Sequence, residues 1–366
     1  MTQMTENTPA GRRWLLRALL GGILTALPVL LLTLIIDQAA PGYYQHLAAS
    51  SLINLVIVLG LQVYMGNSGV VHLGHSAFVG LGAYGAAILA TPVAMKALSI
   101  PDAPFGLAQI EMSPIAAAGL ALLVVVVIAG LTGLIIARLS GVAATIVSLA
   151  FLIICHGTFL NWPALFKGNQ AFFGIPREIG LWGAALGAAA VVVLARVFRE
   201  SRTGLQLRAT AQDPLAARAI GLDVTRLRRR AWVLSALICS GAGVMFAFLT
   251  GTISPRAFYF HQVFLTLAML ILGGMGTVTG AVLGTVLLSA GLELIRRAEN
   301  GIDLGVIALP QMLGLSGVAL GFVIVLGMAL RPQGIAGRLE LDEYLRAGIA
   351  RRRKSHAASS REETSK

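Results

Sequence analysis

Charge is what this 366-residue chain most lacks: Asp, Glu, Lys and Arg make up 12% of it, against about a quarter in soluble domains. With 57% of the residues hydrophobic, too little polar side chain remains to cover a water-facing globule. That excludes a soluble fold. Lysine is confined to Lys96, Lys167, Lys354 and Lys366, and none follows a Gly-rich phosphate-binding loop, so the chain does not hydrolyse ATP itself. No HExxH, GxSxG or CxxC occurs, which leaves no catalytic constellation, no metal set and no cofactor motif, and the chain is read as not an enzyme. Cys155 and Cys239 sit in apolar runs without metal-type spacing and read as buried, reduced and structural. Carboxylates are almost missing from the apolar runs, whereas proton- and sodium-coupled carriers usually need one there. Their scarcity favours transport powered from outside the chain. The apolar stretch after Arg17 is too long for a cleavable signal and lacks a small-residue cleavage site.

Long apolar runs are what the chain has instead. A helix crossing a bilayer needs about 20 apolar residues, and candidate spans fall near 15–36, 48–65, 69–91, 114–137, 141–162, 180–198, 231–250, 262–290 and 307–330. The pattern predicts an all-α polytopic bundle of about eight full spans plus a broken or re-entrant Gly-rich segment. The alternating ten-residue strands of an outer-membrane barrel are not seen. A tail over 1–14, a transmembrane region over 15–335 and a basic tail over 336–366 follow, with a coupling loop at 199–230.

The formal net charge is +12. In a multi-pass protein such an excess reflects basic loops against anionic lipid, not nucleic acid. Arg12, Arg13 and Arg17 place the N-terminus in the cytoplasm, and nine Arg between Arg196 and Arg230 put that loop there too, six spans later. The tail with Arg351–Arg352–Arg353–Lys354 then belongs inside as well. The parity holds if 262–290 breaks at Gly273–Gly274–Met275–Gly276 into two halves, each too short to cross, that dip in and return. Irregular backbone at membrane depth is tolerated only beside protein or a water-filled cavity.

The intramembrane polar exceptions are His72, His75 and His156, and an imidazole in hydrocarbon is costly enough to suggest function. His72 and His75 fall within a turn of the cytoplasmic end of their span, within reach of interface water; an interhelical hydrogen bond suits His156. The glycines of 69–91 suit close helix packing. In the basic loop, Asp213 with Pro214 reads as a helix start and Gly221 as its stop. The short helix between them, with small Ala216 and Ala217, is a docking knob for a partner.

Together these segments resemble the branched-chain amino acid ABC permeases of the LivM type. The resemblance is carried by Gly74–His75–Ser76–Ala77–Phe78–Val79–Gly80–Leu81–Gly82–Ala83–Tyr84, by Arg138–Leu139–Ser140–Gly141 with Thr145 to Ala150, and by Asn161–Trp162 with Gly174–Ile175–Pro176. Also in register are Gly204 to Gly221, Ile253–Ser254–Pro255 with Phe258, Leu272 to Gly276, and Pro332 with Gly334. It covers about 50–335. It implies a permease subunit of a binding-protein-dependent importer in the bacterial inner membrane. The implied partners are a second, LivH-like permease, two cytoplasmic ATP-binding subunits, an extracytoplasmic solute-binding protein and the lipid bilayer. His72, Gly74, His75, Phe78, Gly82, Tyr84, Gly273, Gly274 and Gly276 would shape the substrate pathway. Asp213, Pro214, Leu215, Ala216, Ala217 and Gly221 would couple to an ATPase, with Leu215 where the importer motif has Glu. The loops 163–178 and 291–306 would face the binding protein. Gly69–Val70–Val71–His72 departs from the family's Gly-Gln-x-Ser, and Val263 and Leu265 stand where Ser and Glu are common. A branched-chain amino acid, urea or an amide, a small carboxylate and a ribose-type sugar remain open as solutes. A carrier or channel working alone is the rival from another class.

Overall fold

The structure, a computed structural model, describes residues 9–299, 314–330, 334–337 and 340–343. The chain folds into helices α1 (Pro9–Ala39), α2 (Gly42–Leu61), α3 (His75–Ala90), α4 (Val93–Ser99), α5 (Pro114–Ile136), α6 (Gly141–Asn161) and α7 (Pro163–Phe166). A two-residue strand β1 (Phe172–Phe173) leads to α8 (Leu181–Glu200), α9 (Arg202–Gln212), α10 (Pro214–Ala219) and α11 (Val224–Thr250). Strand β2 (Thr252–Ile253), α12 (Phe260–Gly273), α13 (Val278–Glu299) and α14 (Leu315–Leu330) complete it. Eight of the described helical segments are long and apolar enough to cross a membrane. This is an all-α polytopic bundle.

Local chemistry sets the starts. Ser113 accepts from the Ala116 amide ahead of Pro114, Ser201 from that of Gly204, and Asp223 from that of Arg226. Asp223 starts α11 seven residues before the expected 231. Its basic first turns stay helical because Arg228 is buried and donates to the Leu139 carbonyl at 2.9 Å.

The long helices run alternately between two ends. At one, which we call the arginine-rich end, lie Arg196, Arg199, α9 and α10; there a Cβ on Gly21 of α1 would meet Arg196. At the other, β1 and β2 pair antiparallel, Phe172 opposite Ile253, and join the 161–176 and 251–258 segments. In the centre α11 lies along α3 so closely that a Cβ on Gly243 would fall 1.9 Å from the Val79 carbonyl oxygen, and one on Gly82 2.3 Å from that of Ser240. Small residues permit that approach.

Two expected spans differ. Residues 69–74 are not helical, and α3 begins only at His75. Gly69 takes a left-handed φ of +67°, and the extended run that follows is bonded by side chains of α6: Thr145 donates to the Val71 carbonyl (3.2 Å) and Ser148 accepts from the Leu73 amide (3.2 Å). Irregular backbone is thus satisfied inside protein, as a bilayer demands. The 262–290 segment does break, at Gly274–Thr277, but its halves are not short. One runs Pro255–Gly273 and the other Val278–Glu299, each long enough to cross. The tip of this hairpin lies at the arginine-rich end, where Arg199 donates to the Gly276 carbonyl at 3.0 Å. Two full passes therefore restore the parity expected of two dips. The second half outruns 290 because Glu293 pairs with Arg296 and Arg297 along the helix, which supports further turns.

After α14 the chain returns to the hairpin tip. The Ile335 amide donates to the Leu272 carbonyl (2.9 Å) and that of Ala336 to Gly273 (3.0 Å). Gly334, at φ +73°, fits because a Cβ there would lie 2.3 Å from the Gly274 Cα. Pro332, residues 307–313 of the last expected span, residues 300–306 of the expected loop and the Arg351–Lys354 run lie outside the described residues.

Candidate functional site

The His72–His75 corner is sealed from solvent, not washed by interface water as its sequence position suggested. His75 stands at the start of α3, fully buried, with Nδ1 3.2 Å from the His72 carbonyl and Nε2 2.8 Å from the Thr266 hydroxyl of α12. A carbonyl only accepts, so Nδ1 donates to it, and Nε2 ties the ring to α12 through the Thr266 hydroxyl, which itself donates to the Gln262 carbonyl at 2.8 Å. His72 accepts the Gly74 amide on Nδ1, and its Nε2 has no partner. Its ring packs 4.3 Å from Trp232 and 5.5 Å from Tyr64, while Phe78 meets Trp232 and Phe151. Tyr64 lies in the π turn Gln62–Gly66 that ends α2, beside Gln62, whose buried amide is also unpartnered. Such turns often mark working parts of helices.

The remaining pathway candidates divide. A Cβ on Gly74 would lie 2.5 Å from the Ser148 carbonyl and one on Gly273 1.9 Å from that of Gly280, so both allow backbones to touch. Tyr84 is buried among Phe159, Phe166 and Phe258. Gly274, at φ +119°, and Gly276 shape the hairpin tip. The structure joins His75 to α12 through Thr266, Gly276 to α8 through Arg199, and Gly273 and Gly274 to α13 and the 334–336 segment. His156 is half-buried, stacks on Tyr259 with centroids 3.9 Å apart, and makes the expected interhelical hydrogen bond to the backbone of Pro255 at the start of the Pro255–Gly273 segment. We expect His75→Ala to strand the His72 carbonyl and cut the tie to Thr266, at a cost of about 1–3 kcal/mol, and to reduce transport more than His156→Ala. Matched uptake assays check this, and the reverse order would refute it.

The coupling candidates form one exposed feature. Asp213 Oδ1 accepts from the Leu215 and Ala216 amides at 2.8 and 3.0 Å, Pro214 opens α10, and Gly221 closes it at φ +84°. Ala217 is buried beneath, whereas Leu215 and Ile220 are 75% and 77% exposed. Two large apolar side chains thus stand in the open on a capped helix, among Arg218 and Arg226.

A cleft of about 350 Å³ opens at the other end, between α2, α12 and α13. One face of α2 supplies His46, Ser50, Ser51 and Asn54; α13 supplies Ser289, Glu293 and Arg296. Asn54 accepts from Gln262 at 2.9 Å. None of the sequence-read pathway residues lines it. Glu293 escaped the sequence reading because the Gly-rich span was ended at 290. The visible signal was a carboxylate flanked by Leu292, Leu294 and Ile295, and polar residues at helical spacing from His46 to Asn54.

Apolar side chains face outward along most of these helices, polar groups line a cleft at one end, and irregular backbone is held inside. Such a bundle is a multi-pass membrane transporter. The chain belongs to the family described as the permease component of the branched-chain amino acid transport system, whose model matches residues 43–300. Relatives include the high-affinity branched-chain amino acid permease protein LivM of Salmonella typhimurium, 28% identical over 96% of this chain and 84% of that protein. LivM of Escherichia coli is 26% identical over 83% and 72%. The ribose import permease protein RbsC of Escherichia coli is 23% identical over 88% and 98%. No solved structure matches. The chain is an ABC importer permease.

Proposed function

We propose that the chain, with a second permease resembling LivH, forms the membrane pathway of an importer for branched-chain or related apolar amino acids. Two ATP-binding subunits drive it from the cytoplasm, and an extracytoplasmic binding protein delivers the solute. The observation that carries the reading is α10, a capped helix presenting exposed Leu215 and Ile220 outside the membrane spans. Water-facing apolar pairs of this kind mark a partner surface. The arginine-rich end is then cytoplasmic, in agreement with the excess of Arg there, and both termini lie inside the inner membrane.

By this reading Asp213 to Gly221 enters a cleft of the ATPase, and closure of the two ATPases moves α9 and α10. Arg199 links α8, next to that loop, to the Gly276 carbonyl at the tip of the α12–α13 hairpin. The motion has a direct mechanical route to the helices that hold His75 and Glu293. A ribose-type solute fits less well, because the α2–α12–α13 cleft pairs a carboxylate and a guanidinium with apolar walls.

Purification of the solubilised chain with what accompanies it, followed by uptake in proteoliposomes, tests the proposal. ATPase subunits, a second permease and ATP-driven amino-acid uptake are expected. A chain that comes alone and transports without ATP would refute it.

A further inference from the structure

Two side chains that line the α2–α12–α13 cleft, and also the neighbouring apolar pocket between α1, α2 and α13, each carry a hydrogen-bonding atom that the protein leaves unused. Glu293 Oε2 and Ser289 Oγ are buried and have no hydrogen-bond partner. The nearest cations are at ion-pair distance only: Arg296 Nη1 is 3.7 Å from Oε2, and Arg297 Nε is 3.6 Å from Oε1. Those separations exceed a hydrogen bond. A buried carboxylate oxygen without a hydrogen-bond donor is costly, and a structure that retains one suggests that something else supplies the donor. Ser289 and Glu293 lie four residues apart, so they share one face of α13. An ammonium group, with three donors and a positive charge, satisfies both at once.

One turn further toward the mouth, Arg296 is exposed and offers a planar guanidinium, the group best matched to a carboxylate. The walls between are apolar: Leu47 from α2, Leu265 and Met269 from α12, and Leu292 from α13. Asn54, held by Gln262, closes the deep side.

We propose that this cleft is a solute subsite for a zwitterionic α-amino acid with an apolar side chain, its ammonium on Glu293 and Ser289 and its carboxylate on Arg296. The proposal rests on the importer reading above and gives it a place in the chain. A phosphatidylethanolamine headgroup presents the same pair of charges, and the test separates the two.

The test uses the chain purified with its partners, carrying Ser50→Cys, a position lining the cleft that the proposal does not use as a ligand, with Cys155 and Cys239 replaced by Ser, in nanodiscs with and without phosphatidylethanolamine. The rate at which a maleimide labels position 50 is measured with L-leucine, with leucinamide and with 4-methylpentanoate. L-Leucine is expected to slow labelling about tenfold in either membrane. The two analogues, each lacking one charge, should do far less. Adding Glu293→Gln should abolish the protection, and Glu293→Asp should restore part of it. Labelling indifferent to L-leucine, in a complex that takes up leucine on ATP addition, overturns the subsite and leaves the importer reading standing. Protection that follows phosphatidylethanolamine and ignores leucine overturns it in favour of the lipid. A complex without ATP-driven amino-acid uptake overturns both.

Discussion

Glu340→Gln is expected to lower the stability of the solubilised protein by about 3 kcal/mol, the size of effect seen when one partner of a buried ion pair is removed. Glu340 is 1% exposed and joins three parts of the chain. Its carboxylate accepts from the amides of Val278 (2.9 Å) and Thr279 (3.1 Å) at the start of α13, and from the Thr279 hydroxyl (2.7 Å). It also pairs with Arg196 (3.0 Å) and Arg199 (3.2 Å) of α8. An anion at a helix start meets free amides and the positive end of the helix dipole. Gln keeps the shape but removes the charge, leaving two buried guanidiniums to share Asp342 and Glu200 among the described residues. The hairpin tip at Gly274–Thr277 would then be left with the bond from Arg199 to the Gly276 carbonyl as its tie to α8 among the described contacts.

The same group makes stability depend on acid. Burial alone would raise the Glu340 pKa, but the guanidiniums of Arg199 and Arg196 and the bonds from Thr279 and Val278 outweigh it, and the net shift is downward from 4.5. A carboxyl with a depressed folded pKa contributes stability fully above its unfolded value and loses it as pH falls through the folded one. The wild-type melting temperature should therefore drop below about pH 4.5 by a component that Glu340→Gln does not show. Parallel melts at pH 7 and pH 3.5 check this. Equal acid sensitivity in both proteins would show that Glu340 is not the group responsible.

Glu340 also shows where sequence reading stops. Spans, class and the Asp213–Gly221 helix were legible because each rests on local pattern: apolar run length, or a cap and a stop within nine residues. The clasp was not. It joins positions 61 and more residues apart, and Glu340 lies in a stretch read as a solvated basic extension. His72 and His75 were visible as polar residues in an apolar run. Their burial was not, since it depends on Trp232 and Thr266 arriving from distant helices. The Gly-rich break at 273–276 was legible as a break, but its depth in the bundle depends on Arg199 and Glu340, and its two arms were misjudged as short. Glu293 fell outside its span by three residues, so the one carboxylate in the polar cleft went unread.

Asp213→Ala combined with Gly221→Val is expected to reduce ATP-driven uptake at least tenfold while the chain still inserts and folds. Six residues are too few for a helix to persist on its own, so α10 depends on its ends. Asp213 satisfies two amides there, and removing such a cap costs about 1 kcal/mol. Gly221 holds φ at +84°, where a β-branched residue is strained by about 1–2 kcal/mol. Together these exceed the 1.4 kcal/mol or so that separates a tenfold change in population. A Cβ at 221 meets nothing within 4 Å, so the effect is conformational and not a clash with the bundle. Gly221→Asn, which tolerates a left-handed backbone, should therefore keep most of the activity. Leu215→Glu with Ile220→Glu supplies the complementary test, since it leaves the caps intact and charges the apolar contact surface. Loss of uptake with retained solubility and thermal stability in both double variants identifies α10 as the site of coupling. Normal uptake in both would assign the coupling elsewhere on the arginine-rich end.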